Sequence, residues 1–242
     1  MEAELRTWLF TLSFLIFING EAGISPSYSA QIFQQGGEET QPLFRLEGTT
    51  EKAGATEIQR SIIRAAQGDA DIVHSEELTL LNNEFKKFII QHRQLQEKWT
   101  VELEDGRYKF TTENVITKKV KTSDESYSSN FVVGPMVYAR IVKEWEKLNG
   151  GESVEVKVGA LSRRETIGFY LAKDGERLSK GERIARILLR PKSILIAAFL
   201  DPIEFHIRMR DKKLLSTVGR TQLRILRNGS WQDLIALTNY EN

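Results

Sequence analysis

The side chains suited to chemistry are few and scattered. Ser162-Arg163-Arg164-Glu165 is the one polar constellation that stands out. Neighbouring residues of a strand point to opposite faces. One arginine would then enter a cavity and hold a carboxylate or phosphate through two parallel hydrogen bonds. The alternative is a surface ion pair with Glu165. Arg190, just before Pro191, is placed to approach the same site. The three histidines, His74, His92 and His206, lie far apart in the chain, and none has the spacing of a zinc ligand set. An enzyme would need His206 or another titratable group brought within hydrogen-bond reach of a nucleophile or acid. The chain carries no phosphate loop, dinucleotide fingerprint, His-Glu-x-x-His pair or nucleophile elbow. Catalytic residues, a metal and a cofactor are therefore not expected.

The richer signal is apolar. Ile187 to Leu215 is interrupted at Pro191 and Pro202. After Pro202, Ile203, Phe205, Ile207 and Met209 alternate with Glu204, His206, Arg208 and Arg210, the period of a half-buried strand. Between the prolines, Ser193 is suited to cap a short helix through Leu200 that is apolar almost all round and should be covered on several sides. It reads as a core plug or as the wall of an apolar pocket. On the pocket reading, Leu195, Phe199, Phe205 and Phe169 would contact a hydrophobic ligand, with Arg163 and Arg190 beside it.

These residues need a scaffold. The 242 residues suffice for one domain with a sizeable core. Thr7 to Ile18 is uncharged and apolar, and Gly20 and Ala22 follow two apart, as in a secretory signal peptide spanning residues 1–22. Glu2 and Glu4 outnumber Arg6 ahead of it, which keeps a retained anchor open as the alternative. Cleavage after Ala22 would raise the net charge from +1 to +3 by removing Arg6, Glu2, Glu4 and Glu21. Neither balance implies a strong overall field for nucleic acid or anionic lipid. The absence of cysteine excludes a disulfide framework, so the core alone must hold an exported chain. Export to a bacterial periplasm or envelope is the expected address.

Residues 23–41, rich in Ser, Gln and Gly, read as a flexible tether. Residues 42–242 read as a single β-rich domain. Hairpin signals recur: Asn82-Asn83, then Trp99, Val101 and Leu103 alternating toward Asp105-Gly106, then Tyr108 and Phe110. Val115 to Lys121 reads as a further polar strand. Val133 to Leu148 has helical spacing and ends at Asn149-Gly150-Gly151. Strands resume at Val154 and at Glu165, with a turn expected at Lys173-Asp174-Gly175-Glu176.

The run LSRRETIGFYLAKDGERL, the DPIEF segment and the closing GRT resemble uncharacterised exported bacterial β-rich domains, over roughly residues 130–221. The resemblance implies no defined activity. It implies a curved half-barrel similar to envelope lipid and lipoprotein carriers, which hold acyl chains between sheet and helix. The expected fold is thus mainly β (α+β): an antiparallel meander forming a curved sheet or half-open barrel on one amphipathic helix and one short apolar helix. Two functions follow. One is a non-enzymatic binding protein for a hydrophobic or lipid-like ligand. The other is an envelope assembly protein that binds a protein partner at a sheet edge or on the concave face.

Overall fold

The computed structural model describes residues 25–37, 41–68, 71–227 and 229–241. The signal-like segment lies outside them. Fifteen strands form one curved sheet. They are β1 Ser25–Gln34, β2 Phe44–Ala53, β3 Thr56–Ala65, β4 Ile72–Leu81, β5 Glu84–His92, β6 Glu97–Glu104, β7 Arg107–Asn114 and β8 Val120–Ser126, then β9 Phe131–Val132, β10 Val154–Ala160, β11 Glu165–Ser179, β12 Glu182–Pro191, β13 Ile203–Arg208, β14 Lys213–Arg227 and β15 Ser230–Tyr240. Among the described residues three helices accompany them: α1 Gly134–Lys143, α2 Trp145–Asn149 and α3 Ile194–Ala197.

The order across the sheet is β8 through β1, then β15 back through β9. Two antiparallel meanders are therefore joined where β1 pairs with β15, Ala30 opposite Tyr240. Among the described strands only the short β9–β10 pair is parallel. The sheet curls strongly. Residues just after β5 hydrogen-bond to β14, six strands away: Gln94 Nε2 donates to the Arg224 carbonyl at 2.7 Å, and Arg224 N donates to Gln94 Oε1 at 3.0 Å. Flat strands at about 4.8 Å spacing would hold these positions nearly 30 Å apart. The outermost strands β8 and β9 are also neighbours in sequence. Thr166 N donates to Glu125 Oε1 at 3.0 Å across that rim, and Tyr108 stacks on Phe131 at 4.0 Å between ring centroids.

Period-two alternation explains most strands. In β13, Ile203, Phe205 and Ile207 point inward and Glu204, His206 and Arg208 outward. Asp105-Gly106 and Asn82-Asn83 both adopt the positive φ values of tight hairpin turns. Among the described residues, core side chains occupy the concave side. Val137 and Ile141 of α1, with Trp145 and Leu148 of α2, are buried in one core with Phe169, Leu171, Leu189, Phe205 and Ile207. A second cluster, around Phe88, Trp99, Tyr108 and Phe110, continues it under the other meander.

Several expectations need correction. The supposed tether contains β1, which sits mid-sheet between β2 and β15. Its Ser- and Gln-rich composition hides an alternation in which Tyr28, Ala30 and Ile32 face inward. Lys173 to Glu176 is not a turn but part of β11, where a bulge between Lys173 and Gly175 leaves Asp174 as the extra residue. The chain reverses later, at Lys180-Gly181, both at positive φ. Residues 115–119 form a turn before β8 rather than a strand. The helix of residues 133–148 is broken at Glu144, whose backbone leaves the helical conformation.

Candidate functional site

The open site lies on the convex face, around α3. Ser193 caps that helix by accepting from Ile196 N. No residue of α3 is buried: Ile194 is 87% exposed and Leu195 79%. The expectation of a covered plug fails because one helical turn holds only one face against the sheet. Beyond it, the Phe199-Leu200-Asp201-Pro202 segment stands over the outward faces of β12 to β15. A cleft of about 330 Å³ lies there, with Phe199, Leu188, Val218, Gly219 and Ile235 among its walls. Leu200 is buried and anchors the segment, whereas Phe199 is 52% exposed. Asp201, Glu204 and Arg220 also line the cleft, and Arg220 is ion-paired to Asp233 at 3.3 Å. The volume lies at the lower end of the roughly 300–1,000 Å³ of small-molecule pockets.

The six expected ligand residues do not converge. Phe199 lines the cleft, and Leu195 projects from α3 above the same face. Phe169 and Phe205 point to the opposite, concave face and are fully buried in the core. Arg190 shares the outward parity of Leu188, but its guanidinium is held by Asp174 at 2.6 Å. Arg163 lies in the turn between β10 and β11 and pairs with Glu165, as in the surface alternative. Arg164, at φ 60°, makes that turn and reaches Thr112.

His206 does meet a hydroxyl and an acid. Its Nδ1 lies 2.9 Å from Ser216 Oγ and its Nε2 3.2 Å from Glu204 Oε2. Ser216 is its direct cross-strand neighbour and Glu204 the next outward residue of its own strand, so strand pairing alone accounts for the contacts. Burial lowers the imidazole pKa, and the nearby Arg177 and Arg186 act in the same direction. The Ser216 hydroxyl is nearly covered. A nucleophile needs an open approach to its substrate, which this hydroxyl lacks.

A second group of polar side chains faces the concave side and escaped sequence reasoning. His74 Nε2 lies 2.9 Å from Glu76 Oε1, with both residues buried. Ser61 sits opposite Glu76 on β3, and His92 opposite His74 on β5. Burial pushes the Glu76 carboxyl well above the usual carboxylate range and the His74 imidazole down to about 3. Burial thus acts on both groups in the direction that disfavours their charged forms. His74 Nδ1, Glu76 Oε2 and Ser61 Oγ have no hydrogen-bond partner among the described residues. The sequence signal was the parity of β4: His74 and Glu76 fall in phase with Leu78, hence inward. Among the described residues no cluster of three or more His, Cys, Asp or Glu is arranged to hold a metal ion. No helix among them is long and apolar enough to cross a membrane.

The fold is that of a mostly β protein built on one curved sheet with few helices. No protein-family profile matches the chain, and no curated protein matches it. Among solved structures, it is similar to a DUF1329 family protein from Desulfovibrio piger ATCC 29098. The two are 10% identical, the match covers 89% of this chain and 83% of that one, and the TM-score is 0.26. A likeness at that level says nothing about ligand or activity.

Proposed function

We propose that the protein is an exported, non-enzymatic binding protein of the bacterial envelope that takes a slender hydrophobic chain of lipid-like class. The ligand lies in the convex-face cleft beside α3, not between sheet and helices, where side chains fill the space. The observation that carries this reading is the half-exposed Phe199 standing at a 330 Å³ cleft while its neighbour Leu200 is anchored. An aromatic ring left partly in water beside Leu188, Val218 and Ile235 gains burial when an acyl-like chain enters, and the polar groups Asp201, Glu204 and Arg220 of the same cleft are placed to meet its head. Ile194 and Leu195 extend the apolar surface at the mouth. The uncharged run Thr7 to Ile18 supports export. Native mass spectrometry of the protein purified from its source, followed by organic extraction, tests the reading. A stoichiometric lipid-like mass supports it, and a clean apo mass with no uptake of added fatty acid contradicts it.

The filled interior favours a second reading, in which the convex face receives an envelope protein partner. Crosslinking from position 195 to a protein, with no lipid recovered, would replace the first reading with this one.

A further inference from the structure

One stretch of the chain stands apart from the rest of the sheet. From Val115 to Thr122 every residue is exposed, eight in a row. Three of them are β-branched and apolar: Val115 at 46% exposure, Ile116 at 65% and Val120 at 53%. Three others are Lys118, Lys119 and Lys121, and the run holds no acid. Isolated exposed apolar residues are ordinary, but three beside three cations on one hairpin tip are not.

The tip is rigid. Asn114 Oδ1 accepts from Ile116 N, Thr117 N and the Thr117 hydroxyl. Lys118 closes the turn at φ 58°. Val115 N donates to the Gln96 carbonyl at 2.7 Å, tying the tip to the neighbouring β5–β6 turn. That second turn adds Arg93 and Lys98 to the same end of the molecule, along the cleft they share with Ile116. The acids nearby are engaged: Glu113 faces Lys118 at 3.8 Å, and Glu97 accepts from Trp99 Nε1 at 2.7 Å. Lys119, Lys121, Lys98 and Arg93 form no ion pair among the described residues.

We propose that this tip is a docking surface for an anionic lipid bilayer, with Ile116 and Val115 entering the interface and the lysines meeting the headgroups. The charge complementarity is direct: Lys118, Lys119, Lys121, Lys98 and Arg93 outnumber Glu113 and Glu97, and a net basic cluster is attracted to an anionic leaflet where apolar side chains then anchor it. The size also fits. A stable protein interface takes roughly 20–30 residues a side, far more than this tip offers, whereas a few side chains suffice at a membrane surface. The β-branched side chains have little rotamer freedom to lose on insertion. This surface is independent of the cleft at Phe199.

The absence of cysteine makes the test clean. The full chain carrying Ile116→Cys is labelled with an environment-sensitive fluorophore and mixed with vesicles of phosphatidylcholine alone or with phosphatidylglycerol. A matching label at Ile194→Cys serves as the reference. The expected result is a blue shift at position 116 with the anionic vesicles only, reversed by salt. Lys118→Gln, Lys119→Gln and Lys121→Gln together should weaken this binding roughly 100-fold, at about fivefold per lysine. These exposed changes leave the circular dichroism spectrum unaltered. The local label separates the tip from the apolar run Thr7 to Ile18, which would bring the chain to neutral and anionic vesicles alike. Equal shifts with both vesicle types, a shift at position 194 but not at 116, no shift at all, or full binding by the triple variant would each overturn the proposal.

Discussion

Glu76 Oε1 and His74 Nε2 lie 2.9 Å apart in a part of the core that solvent does not reach. The two side chains stand two residues apart on one strand face, and burial raises the pKa of the carboxyl and lowers that of the imidazole. His92, whose imidazole is pushed down to about 4, is the cross-strand neighbour of His74. Tyr28 and Tyr240 also face this region, and burial holds both phenols protonated.

The pair fixes the sign of the pH dependence. In the unfolded chain the histidines titrate near 6.5 and Glu76 near 4.5. The folded histidine pKa values are lowered, so their stability is present above about 6.5 and is lost as pH falls toward 4 and then 3. The folded Glu76 pKa is raised, so its stability is full below 4.5 and is lost as pH rises. Together these groups place maximum stability near pH 6.5, with a slope of about 1.4 kcal/mol per pH unit for each proton on the alkaline side. Glu76→Gln keeps a hydrogen-bonding group beside His74 Nε2 and removes only the alkaline arm. Urea unfolding of both proteins across pH checks this, and identical alkaline slopes would show that Glu76 is ionised in the fold.

Tyr28 lies across Gly48, where an added Cβ would sit 2.0 Å from its ring. Gly48→Ala must therefore displace the tyrosine, at a cost of about 1–3 kcal/mol or more. In the background of Tyr28→Ala the same change should cost much less, because the two residues are in contact. Denaturant midpoints of the four proteins in the cycle measure this coupling, and additive values would contradict the packing described.

Gln94 acts as a substitute strand residue between the two meanders, giving and accepting one hydrogen bond with the Arg224 backbone. His92 Nε2 meets the Gln222 carbonyl at 2.6 Å beside it. Gln94→Ala should lower stability by about 1–3 kcal/mol, since it leaves a partly buried backbone pair unmet. Hydrogen exchange at the Arg224 amide should speed up more than at Leu237, which remains in its ladder.

The sequence made much of this fold legible, and in particular places. Asp105-Gly106 and the alternation of β13 rest on local chemistry: a turn that wants positive φ, and a strand with one wet face. β1 was illegible because Ser and Gln dominate its composition while only Tyr28, Ala30 and Ile32 carry the inward pattern. Lys173 to Glu176 imitated a turn because a bulge and a turn use the same residue types. Of the apolar residues singled out together, Phe199 lines the convex-face cleft, whereas Phe169 and Phe205 are buried on the opposite face. Period two says that two residues share a face of their own strand. It does not say on which side of the sheet α3 returns. Arg163 and Arg190 read as ligand groups only until Glu165 and Asp174 appear beside them, and those pairings depend on turn geometry and on strand register.

The most direct test of the binding reading is photocrosslinking with a fatty-acid analogue carrying a diazirine on its chain, followed by peptide mapping. Adducts should fall on the Phe199–Pro202 segment and on β14 near Val218, and Phe199→Asp should abolish them without loss of fold. Adducts confined to the concave-face residues such as Phe169, or labelling unchanged by Phe199→Asp, would contradict it.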